Sequence, residues 1–223
     1  VPRRIFSGGL NVSSTLLKLI SPERVAAVGQ FADDPDYSFV ADSAARRPSY
    51  QQVQPEVVLE QNPDLAILTV YTRADIRRKV MNLGIPVILT GTVNTKSDVV
   101  RNTRLIGRAV GERERTESWL DRMNEVLAEV PERSNPPRVL YYTFSGTVPG
   151  ERTVPDLILE AANLENVAAN AGINGWKVIS PERLLKSQPD WLVFEKRNRE
   201  RVVGKLQGDA ALKSLEAVGN RRF

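Results

Sequence analysis

The chain has 223 residues, of which 41% are hydrophobic and 26% charged, and its net charge is +4. The basic residues are spread along the chain and no apolar run reaches about 18 residues, so neither nucleic-acid binding nor a membrane span is expected. There is no Cys and no His, which removes disulfides, thiolate nucleophiles, Ser-His-Asp triads and the usual zinc ligands. Most hydrolase and metalloenzyme functions are therefore disfavoured.

The chain opens with a strand at residues 3–7, followed by Gly8-Gly9 and a helix for which Ser13 or Ser14 is the expected N-cap. A Gly-Gly turn before a helix could hold an anion. The full dinucleotide fingerprint is absent, so a tight strand-to-helix turn is the simpler interpretation. A short strand is predicted at residues 25–28.

Residues 29–54 are predicted to be mostly loop. A loop of this length in a compact domain is usually functional or mobile. The acidic residues Asp33, Asp34 and Asp36 could bind a hard cation, but their spacing is not that of a calcium loop. A solvated turn is therefore favoured for this run.

One stretch occurs twice, at residues 54–68 and 180–194. Each copy predicts a short helix, a Pro-Asp break and an apolar strand. Proline at the first helical position followed by glutamate favours a helix start, and the second proline ends the helix. A unit repeated once at long range indicates two similar lobes. The matching pairs are Pro55/Pro181, Glu56/Glu182, Leu59/Leu185, Pro63/Pro189 and Asp64/Asp190.

The segment between the two copies alternates strand and helix. A strand at 64–70, a helix at 74–83 and a strand at 85–89 indicate a parallel sheet with right-handed crossovers. Helices are then predicted at 97–107 and 112–130, the second roughly 28 Å long. The proline-rich residues 131–137 indicate a boundary.

The second half restarts the pattern. The predicted elements are a strand at 139–143, a loop at 144–152, a helix at 154–162, a loop at 163–176, a strand at 190–194 and a helix at 209–218. Residues 221–223 resemble the start of another strand, so the second lobe is expected to be truncated at its C-terminus. The predicted class is α/β, with an N-terminal lobe at 1–110, a spine helix and linker at 111–136 and a C-terminal lobe at 137–223.

The two repeat copies, together with residues 166–176, resemble the helical-spine family of periplasmic binding proteins that serve ABC importers of cobalamin, ferric siderophores and haem. The resemblance covers nearly the whole chain. Its stretches are 4–17, 25–36, 50–70, 84–89, 112–130, 139–150 and 166–194.

This resemblance implies two small parallel-sheet lobes joined by one long spine helix, with a ligand cleft between the lobes. It implies that Glu56 and Glu182 dock onto the two permease subunits; otherwise these residues only support a helix dipole. The expected protein is a monomer that performs no chemistry, with no catalytic residues, no metal held by the protein and no resident cofactor. It would be periplasmic, or anchored outside the cytoplasm if a lipoprotein signal was removed.

The resemblance also implies ligand contacts in the cleft. Aromatic side chains suit a large flat or chelated ligand, and arginines on the same loops could meet ligand carboxylates. Some of the aromatic residues could instead belong to a lobe core, and the arginines could simply be solvated. The predicted contacts are Phe31, Tyr50, Tyr71, Arg73, Phe144, Arg152 and Trp176.

Three cargoes remain open. A ferric siderophore brings its own coordination sphere and fits the absence of His and Cys best. Haem would depend on Tyr50 alone or on another weak partner, because the chain has no His. A corrinoid is disfavoured, because the acidic run at residues 33–36 stands where the family's cobalamin binders tend to carry a tyrosine. The alternatives from other classes are a tetrapyrrole or metal enzyme of related α/β fold and an interaction module that has lost transport.

Overall fold

The computed structural model describes residues 1–223, which separate into two compact units. Unit 1 comprises residues 1–93 and 97–122, and unit 2 comprises residues 94–96 and 123–223. No helix combines the length and the apolar character that crossing a bilayer requires. The domain boundaries expected from the sequence stay a prediction.

Unit 1 is built on a five-stranded parallel sheet. The strand order is β3-β2-β1-β4-β5. The elements along this part of the chain, the last two of which extend into unit 2, are β1 (Ile5–Ser7), α1 (Leu10–Leu19), β2 (Val25–Gly29), α2 (Ala41–Ala44), β3 (Ser49–Tyr50), α3 (Pro55–Glu60), β4 (Leu65–Thr69), α4 (Ala74–Met81), β5 (Val87–Thr90), α5 (Lys96–Val110) and α6 (Arg113–Ala128).

Helices cover both faces of this sheet, because successive side chains of a strand point to opposite faces. Ile5 packs with Leu16 of α1 and Ile106 of α5. Its neighbour Phe6 packs with Val58 of α3 and Val80 of α4. Strands β1, β2 and β4 are therefore buried throughout.

The winding direction of the sheet reverses at β1. The chain proceeds from β1 through β2 to β3 on one side, and β4 then pairs with β1 on the other side. In open parallel sheets such a reversal leaves a crevice beyond the carboxyl ends of the strands, where ligands bind.

Unit 2 contains a three-stranded parallel sheet of order β10-β6-β8 and an antiparallel pair, β7-β9. Leu140 and Leu192 of the sheet pack with Leu184, Val202 and Leu206 from two helices. The elements are β6 (Arg138–Tyr141), β7 (Thr147–Pro149), α7 (Val154–Ala161), β8 (Glu165–Asn166), α8 (Val167–Asn170), β9 (Trp176–Val178), α9 (Pro181–Ser187), β10 (Trp191–Val193), α10 (Arg199–Gly208) and α11 (Glu216–Gly219).

The aspartate of each repeat copy fixes the start of a strand pair. In unit 1, Asp64 accepts the N–H groups of Arg3 at 2.6 Å and Arg4 at 3.0 Å, and its own N–H donates to the Arg4 carbonyl at 2.9 Å. In unit 2, Asp190 accepts the Arg138 N–H at 2.8 Å and donates its N–H to the Arg138 carbonyl at 2.8 Å. These contacts set the register of β4 on β1 and of β10 on β6.

In each unit, an arginine at the start of the first strand caps the C-terminal end of the repeat helix. These arginines are Arg4, just before β1, and Arg138, the first residue of β6. Arg4 Nε donates to the Gln61 carbonyl at 2.5 Å, beyond the end of α3. Arg138 donates from its two terminal nitrogens to the Ser187 and Gln188 carbonyls, both at 2.8 Å, at the end of α9. The last carbonyls of a helix have no intrahelical donor, so these guanidinium groups satisfy acceptors that the helices leave open.

The predicted α/β class with parallel sheets is confirmed. The expected N-cap at Ser13 or Ser14 is wrong, since α1 begins at Leu10 behind Gly9. The Ser13 hydroxyl lies inside the helix and donates to the Gly9 carbonyl.

Three segments predicted as loops contain regular elements. Residues 29–54 hold α2 and β3, residues 144–152 hold β7, and residues 163–176 hold β8 and α8. These elements are two to four residues long, too short for the periodicity of hydrophobic residues to reveal them.

The helix predicted at 209–218 is also wrong. The Asp209 carboxylate accepts the N–H groups of Ala211 and Leu212 and starts a 3-10 turn, and α11 follows separately. The preceding α10 was missed because only Val202 and Leu206 are buried in a charged segment that contains Gly204. Residues 221–223 form no strand, although the Arg222 carbonyl accepts the Leu192 N–H.

We expect Asp190→Ala to lower the free energy of unfolding by about 1–3 kcal/mol, because it removes a charge-assisted bond to a strand N–H. Asp64→Ala is expected to act in the same direction. Chemical denaturation measures both variants, and Asp33→Ala, an exposed aspartate, is the control, expected to stay within about 0.5 kcal/mol of the parent. Equal losses in all three variants would contradict a register role for the repeat aspartates.

Candidate functional site

Unit 1 has a cavity of about 580 Å³ at the carboxyl ends of β1, β2, β3 and β4. This position is the crevice that the reversal at β1 creates. Its volume falls in the range of small-molecule sites, about 300–1,000 Å³. The cavity is therefore the candidate ligand site of this unit.

Glycines form the floor of the cavity because backbone segments meet there. A Cβ on Gly8 would lie 2.6 Å from the Ile67 carbonyl oxygen, and one on Gly29 would lie 2.7 Å from the Gly9 Cα. The buried Ser13 hydroxyl accepts the Gly29 N–H at 3.0 Å. The Gly8-Gly9 segment is accordingly a tightly packed strand-to-helix turn.

Two exposed aromatic side chains stand on the cavity wall. Phe31 is 37% exposed and Tyr71 is 62% exposed. Phe31 has a φ of 67°, a region that bulky residues rarely adopt, and its ring stacks on Tyr37 with centroids 4.6 Å apart. Tyr37 thus supports the orientation of Phe31, a role that the sequence did not reveal.

Tyr50 lines the cavity but is half-buried and already engaged. Its ring stacks on Phe6 with centroids 4.9 Å apart, and its hydroxyl donates to the Ser7 carbonyl. Burial raises the pKa of the Tyr50 phenol above its usual value, so the group stays protonated at neutral pH. Coordination of iron by a tyrosinate would require loss of this proton and of the bond to Ser7.

Carboxamides are the most frequent polar group in the lining and make up half of its polar side chains. A carboxamide offers both a donor and an acceptor without charge. Among the lining residues only Arg73 is charged, and it pairs with Asp75 at 3.1 Å. The sequence could have indicated these polar contacts, because three of the glutamines lie within the four residues that follow the end of β3. The carboxamide residues are Asn11, Gln30, Gln51, Gln52 and Gln54.

The structure brings four of the seven predicted ligand contacts to this cavity, namely Phe31, Tyr50, Tyr71 and Arg73. Whether they touch a ligand stays a prediction.

The other three predicted contacts, Phe144, Arg152 and Trp176, lie in unit 2. Trp176 is 52% exposed on β9 and meets Tyr141 edge to face at 6.2 Å. Phe144 is partly exposed beneath the guanidinium of Arg201, at 4.0 Å from the ring centroid. Arg152 is exposed, and its N–H donates to the Asp156 carboxylate at 3.2 Å. Their ligand role also stays a prediction.

Glu56 and Glu182 occupy the same place in the two repeat helices. Each is the second residue of its helix, behind a proline, and each side chain is exposed. A hydrogen bond from the Ser180 hydroxyl, with a backbone N–H, lowers the pKa of Glu182. The carboxylate is therefore ionised at neutral pH, as a docking contact would require.

A cavity at the strand-reversal point of a parallel sheet defines a ligand-binding α/β protein. The chain belongs to the family of periplasmic binding proteins, which matches residues 5–223. The resemblance predicted from the sequence is thereby confirmed.

Relatives and solved structures agree with this membership. The chain is 26% identical over 199 residues to the cobalamin-binding protein of Halobacterium salinarum, a match to 86% of this chain and 53% of that protein, so it spans about half the length of this relative. The periplasmic haem-binding protein RhuT from Roseiflexus sp. RS-1 is 25% identical with a TM-score of 0.86, covering all of this chain and 88% of that chain. The periplasmic haem-binding protein HutB of Vibrio cholerae is 21% identical with a TM-score of 0.85, covering 98% and 87%.

We expect Gly29→Ala to lower the free energy of unfolding by about 1–3 kcal/mol, since the added Cβ meets backbone that cannot rotate away. Gly204→Ala is the matched control. It faces open space inside α10, where alanine is expected to raise stability by up to about 1 kcal/mol. Urea denaturation of both variants checks the pair, and an unchanged Gly29→Ala variant would contradict the close packing of the cavity floor.

Proposed function

We propose that this chain is the substrate-binding component of an ABC importer, works in the periplasm and carries a corrinoid to a membrane permease. The observation that carries the proposal is the cavity of unit 1, with its carboxamides and exposed aromatic rings. The lining has carboxamides, hydroxyl groups and one arginine but no carboxylate, Lys, His or Cys, so the proposed role is capture and delivery without chemistry.

The neutrality of the cavity favours a corrinoid. This ligand presents amide side chains around a broad macrocycle, and carboxamides can both donate to and accept from such amides. The rings of Phe31 and Tyr71 can cover apolar parts of the macrocycle. The likeness to a cobalamin-binding protein over 86% of the chain supports the same choice.

Haem is the second candidate, supported by the likeness to RhuT. Two features of unit 1 disfavour it. The Tyr50 hydroxyl already donates a hydrogen bond to the Ser7 carbonyl. In the cavity of unit 1 the only cationic group available to the haem propionates is Arg73, which already pairs with Asp75. None of these features favours the ferric siderophore that was expected from the sequence. It is therefore tested as a third ligand.

Titration with cyanocobalamin, hemin and a ferric siderophore separates the cargoes. We expect cyanocobalamin to bind most tightly, with Tyr71→Ala weakening it about tenfold or more, because an exposed ring on the cavity wall is removed. Phe39→Ala is the matched control, since Phe39 is fully exposed on unit 1 and does not line the cavity. Isothermal calorimetry measures the affinities.

Binding of hemin alone, abolished by Tyr50→Phe, would overturn the corrinoid proposal in favour of haem. Binding of the siderophore alone would restore the expectation from the sequence. Phe144, Arg152 and Trp176 remain proposed ligand contacts, and Trp176→Ala in the same titration tests the contribution of unit 2.

We further propose that Glu56 and Glu182 dock the protein onto the permease. Two exposed carboxylates at matching positions of repeated helices suit a partner with two similar subunits and basic pockets. Complementary charges of this kind mainly set orientation and association rate.

The docking role predicts that Glu56→Arg combined with Glu182→Arg leaves ligand affinity unchanged and removes stimulation of the transporter ATPase. The reason is that each reversed charge would oppose a basic pocket. Glu114→Arg with Glu129→Arg reverses the same number of charges at exposed positions outside the two repeat helices and should stimulate normally. Normal stimulation by the first variant would contradict the docking assignment.

A further inference from the structure

Helices α5 and α6 approach each other closely at one point. A Cβ on Gly107 would lie 1.9 Å from the Thr116 Oγ1, so only glycine permits this contact. Both residues are buried, and the Glu112 N–H donates to the Gly107 carbonyl at 2.8 Å across the turn between the helices.

This contact brings charged side chains from both helices into one recess. On α5, Arg104 lies three residues before Gly107 and Arg108 lies one residue after it. On α6, Arg113 lies three residues before Thr116 and Glu117 lies one residue after it. The recess has a volume of about 350 Å³ and is lined by the four charged residues and Thr116. All of them belong to unit 1.

The charges in the recess are unbalanced. Arg104 holds Glu117 through both carboxylate oxygens, with Nε–Oε1 at 2.9 Å and Nη2–Oε2 at 2.7 Å. Arg108 acts on Glu117 through its charge, without a direct hydrogen bond, and Asp121, outside the recess, acts in the same way on Arg104. The hydrogen bond and charge of Arg104, with a further effect from Arg108, lower the pKa of Glu117 and keep it ionised. Three guanidinium groups and one carboxylate leave a surplus of two positive charges.

We propose that this recess is a binding site for a phosphate-class oxyanion. Guanidinium groups match phosphate oxygens in charge and geometry. Arg113 is the first residue of α6, a helix of 16 residues, whose N-terminal N–H groups favour negative charge at that end; Glu114 in the first turn already supplies one such charge. Glu117 orients Arg104 at the rim and also competes with the anion for it.

A purely structural role does not account for all four side chains. The Arg104–Glu117 pair alone would join the two helices. Arg108 and Arg113 are exposed and add like charges to the same recess. Solvent and salt screen their repulsion, and an anion between them would lower it further. The proposal is independent of the cargo and docking proposals, because none of its residues lines the large cavity or belongs to the repeat helices.

Calorimetry with inorganic phosphate at constant ionic strength tests the site. We expect Arg108→Gln with Arg113→Gln to weaken phosphate binding at least tenfold. Arg46→Gln with Arg78→Gln removes the same charge from exposed positions outside the recess and should leave binding unchanged. We expect Glu117→Gln to bind phosphate severalfold more tightly, because Arg104 is released from its partner.

Thermal unfolding provides a second readout. Phosphate should raise the unfolding temperature of the parent, as any ligand of the folded state does, and should not raise that of the recess double variant. In phosphate-free buffer this variant should unfold no earlier than the parent, since two like charges have been removed.

The source of the phosphate group is distinguished by sedimentation with vesicles. Co-sedimentation with phosphatidic acid vesicles, lost in the recess double variant and absent with phosphatidylcholine, would identify a lipid headgroup. Binding of free phosphate without co-sedimentation would identify a soluble anion.

Three results would overturn the proposal: absence of both kinds of binding, an equal loss of phosphate binding in the Arg46/Arg78 control, or weaker phosphate binding by Glu117→Gln. The cyanocobalamin titration, run on the same variants, reports separately on the cavity.

Discussion

The bond between an aspartate carboxylate and the backbone at the start of the neighbouring strand is the constraint on which both units depend. Asp64 and Asp190 each come directly after the proline that follows a repeat helix. Asp64 accepts the N–H groups of Arg3 and Arg4 just before β1, and Asp190 accepts that of Arg138 at the start of β6. Because the side-chain period of a strand is two residues, a slip by one would turn every side chain to the opposite face. The carboxylate therefore determines which residues enter each core.

In unit 1 the consequence reaches the candidate site. The register of β4 on β1 places Ile67 beside Gly8, whose N–H donates to the Ile67 carbonyl at 2.7 Å. This contact shapes the cavity floor. Tyr50 at the end of β3, Thr69 at the end of β4 and the glutamines that follow β2 and β3 complete the lining. The position of the cavity follows from the sheet topology, whereas its chemistry follows from the residues that happen to end each strand.

The sequence predicted the parallel α/β architecture because the repeat carries strong local signals, prolines and an aspartate at fixed offsets. The family resemblance also predicted Phe31, Tyr71 and Arg73 as ligand contacts; all three line the cavity, and their contact with a ligand stays a prediction. It did not reveal the support of Phe31 by Tyr37, because that contact requires a left-handed backbone at Phe31 which no residue pattern announces. Helix α10 was not predicted for another reason. It has only two buried residues, so the periodicity of its hydrophobic residues is too weak to indicate a helix.

The carboxamide lining has a consequence for the lifetime of a complex. An uncharged amide exchanges a ligand partner for water with a net change of only about 0.5–1.5 kcal/mol per bond, and water can refill the cavity as the ligand leaves. A charged lining would hold an oppositely charged cargo more strongly and release it more slowly. In the proposed transport role, a neutral cavity would favour release of the ligand, with a residence time determined mainly by how much aromatic surface the ligand covers.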